Sequence, residues 1–478
     1  MKRVLRIARE QWRGLFRDKV AVFGLALLTL LTLIAALTAY EHQRHANAQR
    51  AHYQAQADEE FVNQPDRHPH RMAHFGHFLF RPLNPLAAFD PGIDPYTGHT
   101  LYLEAHRQNS ANFGDVRQSS LLLRFGQLTP AFVLQVLAPL LLVFVGHALL
   151  ARERESGTLR VLLAQGISTG QLLAGKLLAL SGFAVLSGLP AALALLWLLS
   201  SGMVDELRIS VLLLGYALWL AIWAFLVTLV SAWCARGRDA LLALLAVWAI
   251  FVILLPRAVP DMAATIVNLP TRFETDIQVN RDFKALGDPH NPDDPAFSAF
   301  RDRVLAQYGV DTIEELPVNF KGLLGMEGES QSSALFNRYA LAALERQLQQ
   351  NHMIDQAAFL SPILGLRRLS MVTSRTDLVH FSEFLQQGEA YRYDLVQGLN
   401  RLQAEAMTLE EDQGSTAHIS HEHWQQFPRF AYSPPPFFDN IDTTILIAGP
   451  FMAPLICWLA LLIVLFPPTS RRLTRGVR

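Results

Sequence analysis

The chain has 478 residues, 51% of them hydrophobic and 17% charged, with a formal net charge of −1. A soluble domain carries about a quarter charged residues, so this chain is charge-poor, and its near-balance of signs excludes the basic surface that a nucleic acid would need. The apolar residues gather in blocks and the polar ones in two long segments, which predicts an all-α polytopic membrane protein with soluble insertions.

Residues 1–19 carry Lys2, Arg3, Arg6, Arg9, Arg13, Arg17 and Lys19. Val4, Leu5, Ala8, Trp12, Leu15 and Phe16 recur among them at helical spacing. This predicts a basic amphipathic helix suited to an anionic lipid surface. Residues 20–40 are the first of six apolar runs read as bilayer spans. The apolar core of this run exceeds the roughly 7–15 residues of a signal peptide. Small residues near positions 36–39 would suit cleavage, but we read the run as an uncleaved anchor.

Residues 41–128 form the first polar segment. It opens on a helix-prone Ala/Gln/His-rich stretch, 41–60, and continues through Arg81-Pro82-Leu83-Asn84-Pro85 and Asp90-Pro91-Gly92-Ile93-Asp94-Pro95. Proline at this density excludes continuous helix there. Nine of the 16 histidines lie between His42 and His106. On a helix, His70, His74 and His77 would share a face able to bind Zn²⁺ or Cu²⁺. Pro69 interrupts its start, however, and no cysteine or close carboxylate completes a set, so a polar, histidine-tolerant loop is the plainer reading. His418, His421 and His423, beside Glu422, lack the spacing of a zinc-protease helix and read as a surface loop.

Four further runs follow at 129–150, 177–199, 211–233 and 240–256, and the sixth lies at 443–466. The fifth is the weakest, about sixteen apolar residues before Pro256-Arg257, a length that also suits a buried or re-entrant segment. Residues 151–176, between the second and third runs, carry Arg152, Arg154, Arg160 and Lys176. With six spans this loop falls on one side with the N-terminal basic residues, with Arg236 and Arg238, and with Arg471, Arg472, Arg475 and Arg478. The acidic loop at 200–210 falls on the other. Basic loops mark the cytoplasmic side, so both termini are expected to be cytoplasmic.

The stretch from Gly170 to Lys176 matches the first seven positions of a phosphate-binding loop. The eighth is Leu177, where Mg²⁺ binding needs a hydroxyl, and no strand precedes it. No cofactor is therefore expected on this chain, and ATP chemistry would come from another. Cys234 and Cys457 lie at or within spans and form no disulfide framework for the polar segments. Pro139, Pro190, Pro450 and Pro454 sit inside spans, where each frees a carbonyl and favours a kink.

Residues 257–442 form the second polar segment. Phe336, Tyr339, Ala340, Ala343, Leu344 and Leu348 recur at three and four. So do Leu378, Phe381, Leu385, Leu395, Leu399 and Leu402, with a slip near Gly388. A mainly helical insertion is expected. It ends on Ser433-Pro434-Pro435-Pro436, and Phe437 and Phe438 lead from there into the last span. The acidic runs Glu59-Glu60, Asp293-Asp294 and Glu410-Glu411-Asp412 read as solvated faces. No nucleophile–base pair stands out, so an enzyme is not expected.

Residues 152–176 resemble the cytoplasmic loop of ABC-2-type transporter permeases, through Glu153-Arg154-Glu155, Gly157-Thr158-Leu159, Leu162-Leu163 and Gly175-Lys176. That resemblance implies a coupling helix that docks on an ATPase subunit, and an N-terminal connecting helix. It also implies a separate ATPase subunit dimer that holds ATP and Mg²⁺, and a second permease chain, identical or paralogous. Arg152, Glu153, Arg154, Glu155, Gly157, Thr158 and Leu159 would make the ATPase contact, the charged residues supplying polar contacts, Gly157 the turn and Leu159 an apolar anchor. Other motifs are similar to a bacterial subfamily with a large periplasmic insertion of unknown function. They are His74-Phe75-Gly76, Phe80 to Ala87, Asp90-Pro91-Gly92, Glu104 to Asn109, Leu360-Ser361-Pro362, Arg367 to Met371, and Thr376-Asp377. The resulting expectation is a permease that couples ATP hydrolysis to movement of an unidentified substrate across the inner membrane. The alternative is a non-transport scaffold or sensor whose extracytoplasmic domains bind a partner.

Overall fold

The computed structural model describes residues 1–109, 128–414, 417–436 and 438–475. Phe437, Arg478 and residues 110–127 of the first polar segment lie outside the described residues. Among the described residues, six helices are long and apolar enough to cross a bilayer: Lys19–Val62, Pro130–Glu155, Thr169–Ser200, Glu206–Trp233, Gly237–Ile266 and Ile441–Thr474. They are the first to sixth spans below, and the protein is all-α and polytopic.

Two spans extend furthest beyond what hydropathy marked. The helix of the first span runs on through the polar stretch 41–60 for 44 residues. At 1.5 Å per residue that is about 66 Å, twice a bilayer's hydrocarbon core. The fifth span does not stop at Pro256, and its helix continues to Ile266. A π-turn at Ala249–Leu254 precedes that proline, and a second at Val133–Leu137 precedes Pro139. Proline removes one backbone hydrogen bond and clashes with the carbonyl four residues back; a widened turn absorbs both effects. The indoles of Trp219 and Trp248 donate to the carbonyls of Leu134 and Val136 inside the second of these turns.

The basic helix Lys2–Arg17 is separated from the first span by extended Asp18, whose carboxylate caps the next helix at Val20 N. It lies against the third span. A Cβ on Gly175 would come within 2.6 Å of Ile7, and one on Gly182 within 2.8 Å of Trp12, so small residues let the helix seat closely. Leu5 and Phe16 stay exposed, the apolar edge that a helix at a membrane interface presents. The fourth span is the core of the bundle, with Trp219 and Trp223 fully buried against the neighbouring spans.

Beyond the bundle, at the end away from the termini, the two polar segments fold together. The helices Phe320–Ala357 and Leu378–Ala406 pack on each other. The helix between them, Pro362–Ser374, sits on the fourth and sixth spans. The two strands among the described residues, β1 (His77–Phe80) and β2 (Thr100–Leu103), pair antiparallel. Gln54 on the extended first helix donates to Phe78 O and accepts from Phe80 N, and Asn47 brackets Leu83 in the same way. The first helix thereby covers the open edge of β1, which would otherwise invite pairing with another chain.

Candidate functional site

The charged loop after the second span is a folded corner. The main helix of the second span runs to Gly146, and the span closes on a short helix, Ala151–Glu155, followed by Gly157 at φ +76°. That left-handed turn, open to a residue without Cβ at no steric cost, redirects the chain into the helix Thr158–Ala164. Ser168 then opens the third span with a reciprocal capping box to Gln171.

Three of the charged residues hold this corner to its own chain. Arg154 donates to the carbonyls of Ala232 (3.0 Å), Trp233 and Cys234, closing the C-terminus of the fourth span. Glu155 accepts from Gly237 N (3.1 Å) at the N-terminus of the fifth. Each sign opposes the helix dipole it meets. Glu153 pairs with Lys176 of the third span (2.8 Å), whose ammonium also donates to Gln11 of the basic helix. Ser231 of the fourth span accepts from Leu150 N and Ala151 N. The residues of the apparent phosphate-binding loop form the first turns of the third span's helix.

The sequence reading had these side chains facing a partner; the geometry divides them. Glu153, Arg154 and Glu155 are engaged within the chain. Leu159 is 1% exposed and anchors the second short helix to its own bundle, since an apolar side chain here packs under the corner. Arg152, Gly157 and Thr158 are exposed, together with Arg160 and Val161. Neither Arg160 nor Val161 was read as a contact residue, because spacing alone does not say which face of a two-turn helix is covered.

At the distal mouth of the bundle the unassigned motifs converge. Gln135 of the second span donates to Tyr216 OH (2.8 Å), and that hydroxyl lies 3.1 Å from Ser370 Oγ. Arg367 reaches Gln135, and Thr376 donates to Asp90 O. Burial pushes the Asp90 carboxyl up. Asp90-Pro91-Gly92, Arg367 to Met371, and Thr376 are thus parts of one knot, buried at Asp90, Leu369, Ser370 and Thr376, that joins both polar segments to the spans. Asp412 also differs from its reading as a solvated residue. Its side chain is buried and bonded to His68, Asn319 and Gln403.

The histidine set is corrected as well. His70 lies on the short helix Pro69–Ala73, and His74 is its C-cap. His77 starts β1, where it is 4% exposed and 3.1 Å from Asp58, because the chain turns at Gly76 (φ +83°) into the strand and takes the ring away from the helix face. In its place His106 and His290 join His70 and His74, with one ring nitrogen of each within 4.8 Å of the others. The motif from Glu104 to Asn109 contained His106; no sequence signal marked His290. Burial, reinforced by the neighbouring rings, pushes His70 down to about 3 and also lowers His74. Both imidazoles are therefore neutral near pH 7, with lone pairs to offer.

Family comparison divides the chain in two. The ABC-2 family transporter protein model matches residues 5–301, and the Domain of unknown function (DUF3526) model matches residues 272–433. No curated protein matches the chain.

Proposed function

The chain belongs to the ABC-2 transporter family, and from that premise we propose that it is the membrane-spanning permease subunit of an ABC transporter. A separate ATPase subunit dimer holds ATP and Mg²⁺, and a second permease chain, identical or paralogous, completes the transmembrane unit. Both termini and the corner at residues 151–168 face the ATPase, on the cytoplasmic side of a bacterial inner membrane.

The observation that supports this most is the wiring of the corner. Its exposed face, with Arg152, Thr158, Arg160 and Val161, is backed by bonds to the third, fourth and fifth spans. A load applied there reaches three spans through polar contacts rather than through a flexible loop. The π-turns beside Pro139 and Pro256 give two spans a place to bend. Closure of the ATPase dimer would push on this face and shift the spans against one another, moving an unidentified substrate across the membrane.

The test is co-expression with a candidate ABC ATPase subunit. Replacing Arg152→Glu, Arg160→Glu and Val161→Asp together is expected to reduce ATPase co-purification to background, with membrane insertion intact. Undiminished co-purification would remove the corner as the docking surface. If reconstitution also gave no nucleotide-dependent activity, the scaffold or sensor reading would replace the permease.

A further inference from the structure

Four histidine rings from three stretches of chain meet in the distal domain. His70 and His74 are one helical turn apart, His106 follows β2, and His290 lies on the loop after the helix Arg272–Lys284. Ring centroids are 4.7 Å apart for His70 and His74, 5.0 Å for His70 and His290, 5.1 Å for His106 and His290, and 5.3 Å for His74 and His106. The four therefore enclose a common centre instead of forming a row.

Their surroundings prepare ring nitrogens for a ligand. Nδ1 of His106 lies 3.2 Å from Glu329 Oε2, and Nδ1 of His290 lies 2.9 Å from Asp288 Oδ1. The carboxylate bonded to Nδ1 of His290 keeps the proton there and leaves Nε2 as a lone-pair donor, the second-shell arrangement of metal-bound imidazoles. Both ring nitrogens of His106 are buried and neither has a hydrogen-bond partner among the described residues, which costs free energy unless a ligand takes up that capacity. His106 also holds a left-handed backbone, φ +58°, with its own N–H donating to Glu329 (2.9 Å). Glu329 is fixed in turn by Arg392 at 2.6 Å.

One turn of the helix Phe320–Ala357 positions both remote ligands. Glu329 orients His106. The preceding residue, Gly328, receives the His290 loop: a Cβ there would lie 2.3 Å from Pro289 Cβ.

We propose that His70, His74, His106 and His290 form a site for a divalent late first-row transition ion, with Zn²⁺ in tetrahedral coordination the best match. Four imidazoles suit Zn²⁺, Cu²⁺ or Ni²⁺ and disfavour Ca²⁺ and Mg²⁺, which take oxygen ligands. Zn–N bonds of about 2.0–2.1 Å set nitrogen–nitrogen edges of about 3.3 Å. Binding therefore draws the four nitrogens together from their present spread of up to 4.8 Å. The ion would staple the first polar segment to the second.

The experiment uses the full chain in detergent with its affinity tag removed. Metal content is measured by mass spectrometry, affinity by Zn²⁺ titration with Cu²⁺ and Ni²⁺ as competitors, and geometry by the visible spectrum of the Co²⁺ form. One equivalent of Zn²⁺ and a tetrahedral Co²⁺ spectrum are expected. His74 and His290 are exposed, so His74→Ala and His290→Ala test the ligands with little risk to folding. Each should weaken binding by about 100-fold or more, and Asp288→Asn by about 10-fold. A His421→Ala/His423→Ala control should bind normally. No stoichiometric metal in the wild type, or an undiminished equivalent in the His74→Ala/His290→Ala double variant, would overturn the proposal.

Discussion

At the end of the bundle that carries the termini, Arg154 and Glu155 close helix ends from partly exposed positions. In the distal domain Arg392 is 1% exposed and bridges Glu329, itself 0% exposed, and Glu389. The first arrangement has water as an alternative partner. The second has none, so its charges depend on one another. The corner can therefore be displaced at small cost, while the distal domain resists local change, a division that suits a lever at one end and a rigid body at the other.

The contrast can be broken most directly at Arg392. Arg392→Ala leaves two buried carboxylates without their cation, and a loss of about 3–5 kcal/mol is expected in detergent unfolding. A loss below about 1 kcal/mol would show that the distal network is no more committed than the corner. Gly322→Ala probes the same rigidity through packing. Its Cβ would lie 2.3 Å from Ala404 N, a backbone atom that cannot rotate away, so about 1–3 kcal/mol should be lost.

At the corner, Arg154→Ala should cost about 1 kcal/mol or less, as for other charges at helix ends. It should nonetheless lower transport-coupled ATPase activity while leaving ATPase co-purification unchanged. Asp412 sharpens the comparison in acid. Burial pushes its carboxyl up, but hydrogen bonds from His68, Asn319 and Gln403 outweigh that and hold it well below the ordinary 3.8. Its stabilising contribution is complete above that value and lost as the pH falls below it, toward the depressed folded value. Asp412→Asn should therefore flatten the fall in unfolding midpoint below about pH 4. The smallest stability effect belongs to Arg152→Ala and Arg160→Ala, within about 0.5 kcal/mol, as for exposed residues elsewhere.

Much of this architecture is legible in the sequence because hydropathy is a local property. The six apolar runs, the corner between the second and third, and the turn at Gly157 can each be read without knowing what lies nearby. The passage of the fifth span through Pro256 could not be read in that way. It depends on a π-turn, and the widening is set by helix geometry and packing rather than by a residue type. Arg154 looked like a contact for a partner because its own acceptors, around Cys234, are remote in sequence. His77 was preferred to His106 and His290 for the same reason. Proximity along the chain was the available guide, and β1 turns that residue away.

The sequence by itself determined a polytopic helical membrane protein, because burying apolar runs in lipid needs only their length and composition, and its motifs carried the resemblance to the ABC-2 transporter family. The tertiary structure decided which charges at the corner are turned inward and which remain free to meet another chain. It also decided that four histidines from three stretches share one centre. Both outcomes depend on segments distant in sequence coming within a few ångströms, and the long first helix, the turn at Gly328–Glu329 and the end of the fourth span bring them there.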